Sequence, residues 1–330
     1  MKRALLGANR YSVGRFFPIL IVLPLVLQGL YGCGLVPLRD HSHEGSLPKK
    51  ERERLADELH TKGLILDVES KPEEAIDIWL KEIELSPKRA RPYNNIGIAY
   101  RRLGNLDSAK KFHEKAIMTD PKFGHSYYSL GLVYYDRENY EKAKGLFSEA
   151  IKRGYFNADV YYSLGQANKN LNEIDQAITA YEKTVKLYYS YRGAHYHLGE
   201  CYRLQGKYDL ARLEFKREIS LNSSWKSLCE VGLQEIEVEL DPDNVDKLFA
   251  LGMLYKDSAG KDHREQAIKT FLRVIDLNPG YPDVHFQLGY LYQKDGDLER
   301  AEHEYEMELE MNSGHTKARE ALDSIRMRKI

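Results

Sequence analysis

A 34-residue period runs through the middle of the chain and limits what it can fold into. Five glycines keep this spacing: Gly63, Gly97, Gly131, Gly165 and Gly199. An alanine follows each glycine by twelve residues, from Ala75 to Ala211, and an aromatic residue follows each alanine by four, except in the second unit, where His113 stands. Several columns with one period indicate a repeat whose units stack to bury a common core.

Each unit predicts two short amphipathic helices joined by a turn. In residues 90–121 the apolar residues of each helix share one face, first Tyr93, Ile96, Gly97 and Tyr100, then Ala109, Phe112 and Ala116. Neither helix can bury its apolar stripe alone. The glycine and alanine columns let the paired helices approach closely, because a Cβ at the glycine would meet the backbone of the neighbouring helix. We therefore predict that Gly131→Leu overpacks the pair at a cost of ~1–3 kcal/mol.

Further positions carry the pattern of a known family. Pro87 and Pro121 close two of the units, and the third unit contains a longer series: Leu130, Gly131, Tyr134, Ala143, Phe147 and Ala150. This series resembles the tetratricopeptide repeat family, and the resemblance covers roughly residues 55–313. It implies an all-α fold, a right-handed superhelical solenoid of helix pairs. It says little about the ligand.

The repeats and their flanks divide the chain into six segments. Residues 1–32 are predicted to be a signal peptide with a lipobox, 33–54 a flexible tether, 55–224 five consecutive units, 225–243 an extra helix, 244–313 two further units, and 314–330 a C-terminal capping helix. The extra helix is expected because Gly252 follows Gly199 by 53 residues. A single helix among pairs must reverse the chain direction or lie outside the stack. Ala267 follows Gly252 by 15 residues, which predicts a three-residue insertion in the turn of that unit.

The N-terminus has the features of a secretory signal. Residues 1–3 begin a basic segment, and residues 16–27 form an apolar run that is shorter than the ~20 residues needed to span a bilayer. The ending Leu-Tyr-Gly-Cys at residues 30–33 resembles a bacterial lipobox. The resemblance implies that Cys33 is lipidated after export, and Gly34 favours the outer membrane, facing the periplasm. An uncleaved anchor, or an ordinary signal with an incidental cysteine, is the alternative.

The histidines do not predict a metal site. Residues 34–50 are rich in Pro, Gly, His and charge without periodicity, which is typical of a flexible tether. His41 and His43 have no third ligand near them in sequence. His195 and His197 lie two residues apart on a predicted helix, and this spacing points their side chains apart.

No enzyme motif or nucleic-acid-binding surface is recognisable. The chain has 49 basic and 50 acidic residues, and no basic block draws nucleic acid. Phosphate-binding glycine loops, zinc-protease motifs and nucleophile elbows are absent from the sequence. Cys201 and Cys229 are interpreted as buried free thiols, with a disulfide as the alternative in an exported protein. We predict a non-catalytic protein without cofactor or metal.

The family resemblance also implies where a partner binds, because first helices line a concave groove in tetratricopeptide arrays. Alignment on the glycine column places these residues there: Asn94, Asn95, Arg101, Tyr128, Ser129, Tyr135, Tyr162, Gln166, Lys169, Tyr196, His197, Glu200 and Arg203. Tyr128, Tyr162 and Tyr196 form an aromatic ladder beside amides and cations, and such rings serve as binding anchors. Alternatively, these tyrosines pack against adjacent helices. The preceding column, Tyr93, Tyr127 and Tyr161, is assigned to the core.

The sequence therefore predicts a lipid-anchored scaffold that holds a peptide segment or partner helix of another protein. Among lipoproteins of this kind the resemblance offers three roles: assembly of a type IV pilus secretin, docking of murein hydrolases, and insertion of outer-membrane proteins. The first agrees best with the number of consecutive units, by analogy of architecture alone. The alternative class is a carrier or sensor that binds a small molecule or glycan on the aromatic groove.

Overall fold

Helices follow one another through the whole described part of the chain. The computed structural model describes residues 47–258 and 261–328, so the predicted signal peptide, Cys33 and most of the tether lie outside it. The described residues contain no strand and form α1 (Lys49–Val68), α2 (Pro72–Leu85), α3 (Ala90–Arg102), α4 (Leu106–Thr119), α5 (Gly124–Asp136), α6 (Tyr140–Lys152), α7 (Ala158–Asn170), α8 (Ile174–Leu187), α9 (Ala194–Leu204), α10 (Tyr208–Ser220), α11 (Lys226–Leu240), α12 (Val245–Asp257), α13 (Lys261–Leu277), α14 (Val284–Asp295), α15 (Leu298–Met311) and α16 (Thr316–Arg328).

These helices pack in pairs, as the period predicts. Helices α1 to α10 form five pairs, and α12 with α13 and α14 with α15 form two more. Second helices contact the first helix of the next pair, and the first helices α3, α5 and α7 also contact one another in turn. The fold is therefore an all-α solenoid of stacked helix pairs, and its buried apolar residues form four clusters that each span neighbouring pairs.

The short turns between paired helices explain where the helices end. In the second unit Gly104 has φ +77°, a left-handed conformation that glycine adopts without strain. The next residue, Asn105, accepts a hydrogen bond from the backbone N–H of Ser108 and so caps α4. Asn139 caps α6 through the N–H of Lys142 in the same way. The turn sequence thus ends one helix and begins the next within a few residues.

The glycine column makes room for the aromatic column of the paired helix. A Cβ on Gly131 would lie 2.6 Å from the ring of Phe147, which is fully buried. Gly165 faces Tyr181 and Gly199 faces Phe215 at similarly short distances. The expectation of a contact with the neighbouring backbone is therefore wrong, because a ring fills that space. The glycine column of the first helix and the aromatic column of the second helix therefore form one contact in each of these units.

The extra helix α11 lies within the stack. A Cβ on Gly232 would lie 2.6 Å from Phe215, the ring that also faces Gly199. Helix α11 contributes Cys229 and Ile236 to the core of the preceding pairs, and Val231 to the core of the C-terminal helices. It therefore acts as a first helix towards α9 and α10 and also packs against α12. Gly232 follows Gly199 by 33 residues, one short of the period, and this signal was present in the sequence.

The three-residue insertion lengthens a helix instead of a turn. Helix α13 begins at Lys261, nine residues after Gly252, as α4 begins nine residues after Gly97. It runs for 17 residues, whereas α4 has 14. The predicted placement in the turn is therefore not correct, since the additional residues continue the helical geometry.

The C-terminal helix packs its apolar side on the last pair. Helix α16 lies within the segment 314–330 that was predicted to cap the stack, and it buries Ala318, Leu322 and Ile325. Cys201 and Cys229 are buried and free, as expected, and burial raises the pKa of the Cys201 thiol to about 11. Within the described residues, none of the helices has the length and apolarity required to cross a membrane.

Candidate binding groove

The predicted groove residues lie on the first helices α3, α5, α7 and α9, and they differ in exposure. Three of them are buried: Asn94, Ser129 and Tyr162. The others are partly exposed: Asn95, Arg101, Tyr128, Tyr135, Gln166, Lys169, Tyr196, His197, Glu200 and Arg203. We call the surface formed by the partly exposed set the groove. Contacts along it decide which side chains could meet a ligand.

Asn94 supports the core of the second unit. Its Oδ1 lies 3.0 Å from Nδ1 of His113, and its Nδ2 lies 3.5 Å from Nδ1 of His125. His113 takes the position that an aromatic ring holds in other units, and it faces Gly97. Burial lowers the pKa of His113 to about 3, so the imidazole is neutral and needs a neutral partner. The amide of Asn94 is therefore not available to a ligand.

The aromatic ladder packs between neighbouring units. The ring of Tyr128 lies 5.6 Å from that of Tyr155, and its hydroxyl is 3.4 Å from the hydroxyl of Ser163. Tyr162 lies 4.8 Å from Tyr191 by ring centroids, in the turn that follows its unit. These rings therefore join successive helix pairs, as the packing alternative describes, and present only part of their surface to a partner.

Tyr196 ends this ladder against the extra helix. Its ring stacks on that of Trp225 at 5.0 Å, just before α11. The adjacent His197 lies among aromatic rings, parallel to Tyr181 at 5.6 Å. Burial, and secondarily the charge of Lys169, lowers the pKa of His197 to about 3. His197 is therefore a neutral aromatic neighbour of the ladder.

The preceding tyrosine column is tied to the turns. The hydroxyl of Tyr93 donates to the carbonyl of Pro87 at 3.3 Å, and that of Tyr127 donates to the carbonyl of Pro121 at 3.2 Å. Tyr93, Tyr127 and Tyr161 are half-buried, so their assignment to the core is not correct. The closing prolines thus supply acceptors that hold the start of the next first helix.

Polar side chains connect successive first helices along the groove. Arg101 makes two hydrogen bonds to Asp136, at 2.6 and 3.1 Å, in the bidentate geometry that suits a guanidinium and a carboxylate. The amide of Asn170 donates to the hydroxyl of Tyr135 at 3.1 Å. Arg101 and Tyr135 are therefore already engaged within the array.

The groove becomes acidic where the five units meet α11. Arg203 lies 3.4 Å from Glu200 and 3.2 Å from Glu235, and it also pairs with Glu239. Three carboxylates thus surround one guanidinium. Burial raises the pKa of Glu235, although the hydrogen bond from Tyr255 and the charge of Arg203 oppose this shift. This end of the groove favours a positively charged ligand group.

Asn95, Gln166 and Lys169 are groove residues whose side chains have no hydrogen-bond or ion-pair partner among the described residues. Tyr196 and His197 also have no such partner there, but their rings pack against neighbouring aromatic rings. Asn95 lies on α3, and Gln166 and Lys169 lie one helical turn apart on α7. An amide can donate and accept at once, and an ammonium group donates three hydrogen bonds. The side chains of Asn95, Gln166 and Lys169 can therefore bind a ligand without breaking an existing contact.

One group of possible metal ligands occurs in the described part of the chain, and it serves another purpose. Oxygen and nitrogen atoms of Asp283, Glu308 and His315 lie within 4.8 Å of one another. Nδ1 of His315 accepts the backbone N–H of Ala318 at 3.0 Å, which leaves the proton of a neutral ring on Nε2, 3.1 Å from Asp283. A nitrogen that carries this proton does not bind a metal ion. The group is a hydrogen-bonded junction at the start of α16.

Two cavities lie away from the groove. One has a volume of about 280 Å³ and is lined by residues of the turns around 190 and 222; the other, of about 340 Å³, is shallow and lies between α5 and α6. The residues that line them include none of the predicted groove residues. Neither cavity therefore supports a small-molecule site on the aromatic ladder.

The stacked pairs and their shared first-helix surface define a helical-repeat protein. Models described as tetratricopeptide or TPR repeats match residues 90–123, 128–168, 169–224, 264–296 and 282–313, which together are more than half of the chain. The chain belongs to the tetratricopeptide repeat family. A comparison with curated proteins gives no match.

Solved structures with the same repeat are similar in fold. The chain is 18% identical to Pseudomonas aeruginosa pilF, with a TM-score of 0.50, over 74% of this chain and 98% of that one. It is 27% identical to YrrB, described as a TPR protein with an unusual peptide-binding site, over 61% of this chain and 92% of that one, with a TM-score of 0.42. For MamA the identity is 26% over 48% of this chain and 94% of that one, with a TM-score of 0.45. The likeness to pilF bears on the fold only.

Proposed function

We propose that this protein is a non-catalytic scaffold that binds an extended segment of another protein along its groove. The observation that carries this proposal is the set of partly exposed, unpartnered side chains on first helices of one stack: Asn95, Gln166 and Lys169. An extended peptide exposes N–H and C=O groups along both edges, and amides can pair with both kinds.

The charges of the groove indicate what this segment contains. Lys169 lies in the middle of the groove on α7 and has no ion pair among the described residues, so it favours an acidic residue of the ligand. The carboxylates of Glu200, Glu235 and Glu239 outnumber Arg203 at the end next to α11, and they favour a basic residue. Complementary charge fixes register and partner choice more than affinity. A ligand with acidic and basic residues in this order would therefore bind in one orientation.

Photocrosslinking from within the groove tests this function. A benzophenone amino acid replaces Gln166, and the crosslinked products are recovered from the native membrane extract and identified by mass spectrometry. Asn95→Ala with Lys169→Ala should reduce the crosslink about tenfold or more, since hot-spot losses of this size are common. Lys111→Ala with Gln176→Ala, two exposed changes on second helices, is the matched control. Equal crosslinking by both variants would contradict the proposal.

The localisation of the scaffold is a second part of the proposal. Cys33 carries lipid and holds the protein at the outer membrane, facing the periplasm, and residues 33–54 act as the tether. The sequence of residues 1–33 supports this, since its basic, apolar and small-residue parts occur in the order of an exported lipoprotein. The intact mass of the native protein tests it, because cleavage before Cys33 with added acyl chains gives a defined mass.

The partner we propose is a subunit of an envelope machine, with a type IV pilus secretin as the first candidate and murein hydrolases as the second. This part of the proposal rests on an analogy of architecture alone, which identifies no contact with such a partner. A small-molecule or glycan carrier is the alternative function. A ligand found by native mass spectrometry, together with no crosslinked protein, would favour the carrier.

A further inference from the structure

A second surface lies at one edge of the solenoid, where each second helix turns into the next first helix. In the first five units these turns are residues 86–89, 120–123, 153–157, 188–193 and 221–225. Successive turns are neighbours, because the guanidinium of Arg153 donates to the carbonyl of Pro121, and the hydroxyl of Tyr191 donates to Asp159 at 2.8 Å. We call these turns, with the helix ends that flank them, the loop edge.

The loop edge carries an excess of unpaired positive charge. Its exposed cations without an ion-pair partner among the described residues are Lys81, Lys88, Arg91, Lys115, Lys122, Lys183, Lys186, Arg192 and Lys216. Its exposed carboxylates are fewer: Glu84, Asp120, Asp159 and Glu182. Two of these already accept hydrogen bonds from tyrosines, Asp159 from Tyr191 and Glu182 from Tyr202. The protein as a whole is almost neutral, so this charge is concentrated locally.

Helix dipoles do not account for this distribution. Cations at the ends of second helices suit the negative end of the dipole, and by the same rule first helices should begin with acidic residues at this edge. Helix α7 begins with one, Asp159, but α3, α5 and α9 have no acidic residue in their first turn. At the opposite edge α4, α6, α8 and α10 each begin with one. The two edges therefore differ in charge for a reason other than helix stability.

Large apolar side chains are exposed on the same edge. Met118 is 81% exposed, Phe156 is 60% exposed, and the consecutive Leu187, Tyr188 and Tyr189 are each more than half exposed. They lie in or next to three successive turns, where they contribute little to the core. Aromatic and aliphatic tips among lysines and arginines are the composition of protein surfaces that lie at a lipid–water interface.

We propose that the loop edge lies against an anionic lipid bilayer. The cations would face lipid phosphates, and Phe156 with Tyr188 and Tyr189 would enter the headgroup layer. An acidic protein could also meet the charge, but the apolar residues stand at the tips of successive turns and not within a groove. Apolar side chains that project from the turns of an edge can insert into a flat, deformable surface such as a bilayer. This inference rests on the described residues and does not depend on Cys33.

Spin labels on the full-length chain test the contact. Phe156→Cys and Tyr189→Cys are each labelled in a Cys33→Ser background, in which Cys201 and Cys229 are buried, and the same chain without either new cysteine serves as the labelling blank. Leu103→Cys and Leu204→Cys, exposed at the opposite edge, are the matched controls. The measurement is the collision rate of each label with a water-soluble nickel chelate, with and without vesicles of phosphatidylcholine that contain about 30% phosphatidylglycerol.

We expect the anionic vesicles to reduce the collision rates at the loop edge about threefold or more, while the control labels change little. The combined change Lys183→Glu, Lys186→Glu and Arg192→Glu should abolish this protection. Three reversals at the opposite edge, Lys110→Glu, Lys111→Glu and Lys142→Glu, should leave it in place. Equal rates at both edges, or protection that survives the loop-edge reversals, would overturn the proposal. So would equal protection by a polyglutamate peptide without vesicles, which would assign the edge to an acidic protein.

Discussion

Two glycines on paired helices of the third unit should respond in opposite ways to one added methyl group. Gly131 lies on α5, and its Cβ would come within 2.6 Å of the buried Phe147 ring. Ordinary contacts between carbon atoms are about 3.5–4.0 Å, so the distance between the new Cβ and the Phe147 ring must increase by about 1 Å. The ring is fully buried and close-packed, so this shift displaces its neighbours. Gly145 lies on α6, and an added Cβ would meet nothing within 4 Å. A comparison of the two substitutions therefore separates the effect of packing from that of helix propensity.

Both substitutions gain helix propensity, worth about 1 kcal/mol for Gly→Ala inside a helix. Gly131→Ala also pays overpacking of about 1–3 kcal/mol, so its net effect is destabilising by up to about 2 kcal/mol. Gly145→Ala should stabilise by about 0.5–1 kcal/mol. Urea unfolding followed by circular dichroism measures both. Phe147→Leu should reduce the loss caused by Gly131→Ala, because the smaller side chain leaves room for the methyl group.

A Gly131→Ala variant as stable as Gly145→Ala would refute the reasoning, because it would mean that the ring moves freely. The same result would undermine the explanation of the whole glycine column. Gly131→Leu must place three more carbon atoms in the same space, so we expect it to be worse than the alanine variant.

Three further predictions concern buried groups. Burial lowers the pKa of His113 to about 3 from an unfolded value near 6.5, so the contribution of His113 to the free energy of unfolding is complete above about pH 6.5 and is lost as the pH falls towards 3, at about 1.4 kcal/mol per pH unit. His113→Gln should therefore flatten the dependence of the urea midpoint on pH between pH 7 and about 5. An unchanged slope would contradict the assignment of His113 as a buried neutral imidazole. Cys201 and Cys229 should not react with a thiol reagent until the protein unfolds, and rapid native labelling would show that their burial is incomplete. Tyr162→Ala should cost about 3–5 kcal/mol, measured by urea unfolding, because the ring is buried between two units; a small loss would mean that it serves a ligand and not the stack.

Much of the fold follows from the sequence because the repeat encodes local contacts. The helices of one unit meet through side chains less than 20 residues apart, such as Gly131 and Phe147. The first five units repeat the same spacing, so the pattern predicted their helix pairs. The position of α11 was missed because Gly232 departs from the period by one residue, and its second contact, with the C-terminal core, has no counterpart in the repeat.

The groove was less predictable, because exposure there depends on the neighbouring unit. Asn94 and Asn95 stand side by side in sequence, yet one amide is buried against His113 and the other is partly exposed. The signal was the histidine in an aromatic column, since a buried imidazole needs a hydrogen-bonding partner. No comparable signal marks Tyr128, whose hydroxyl meets Ser163 from the next unit.

The sequence by itself determined the period and the helix pairs, because these depend on contacts within a unit, whereas the shared surface of the first helices was implied by the family resemblance. Only the tertiary structure decided which of those side chains are still available and that one edge of the stack gathers cations with exposed aromatic rings. The physical reason is that stacking brings together residues about one period apart, and their contacts are set by the geometry between units.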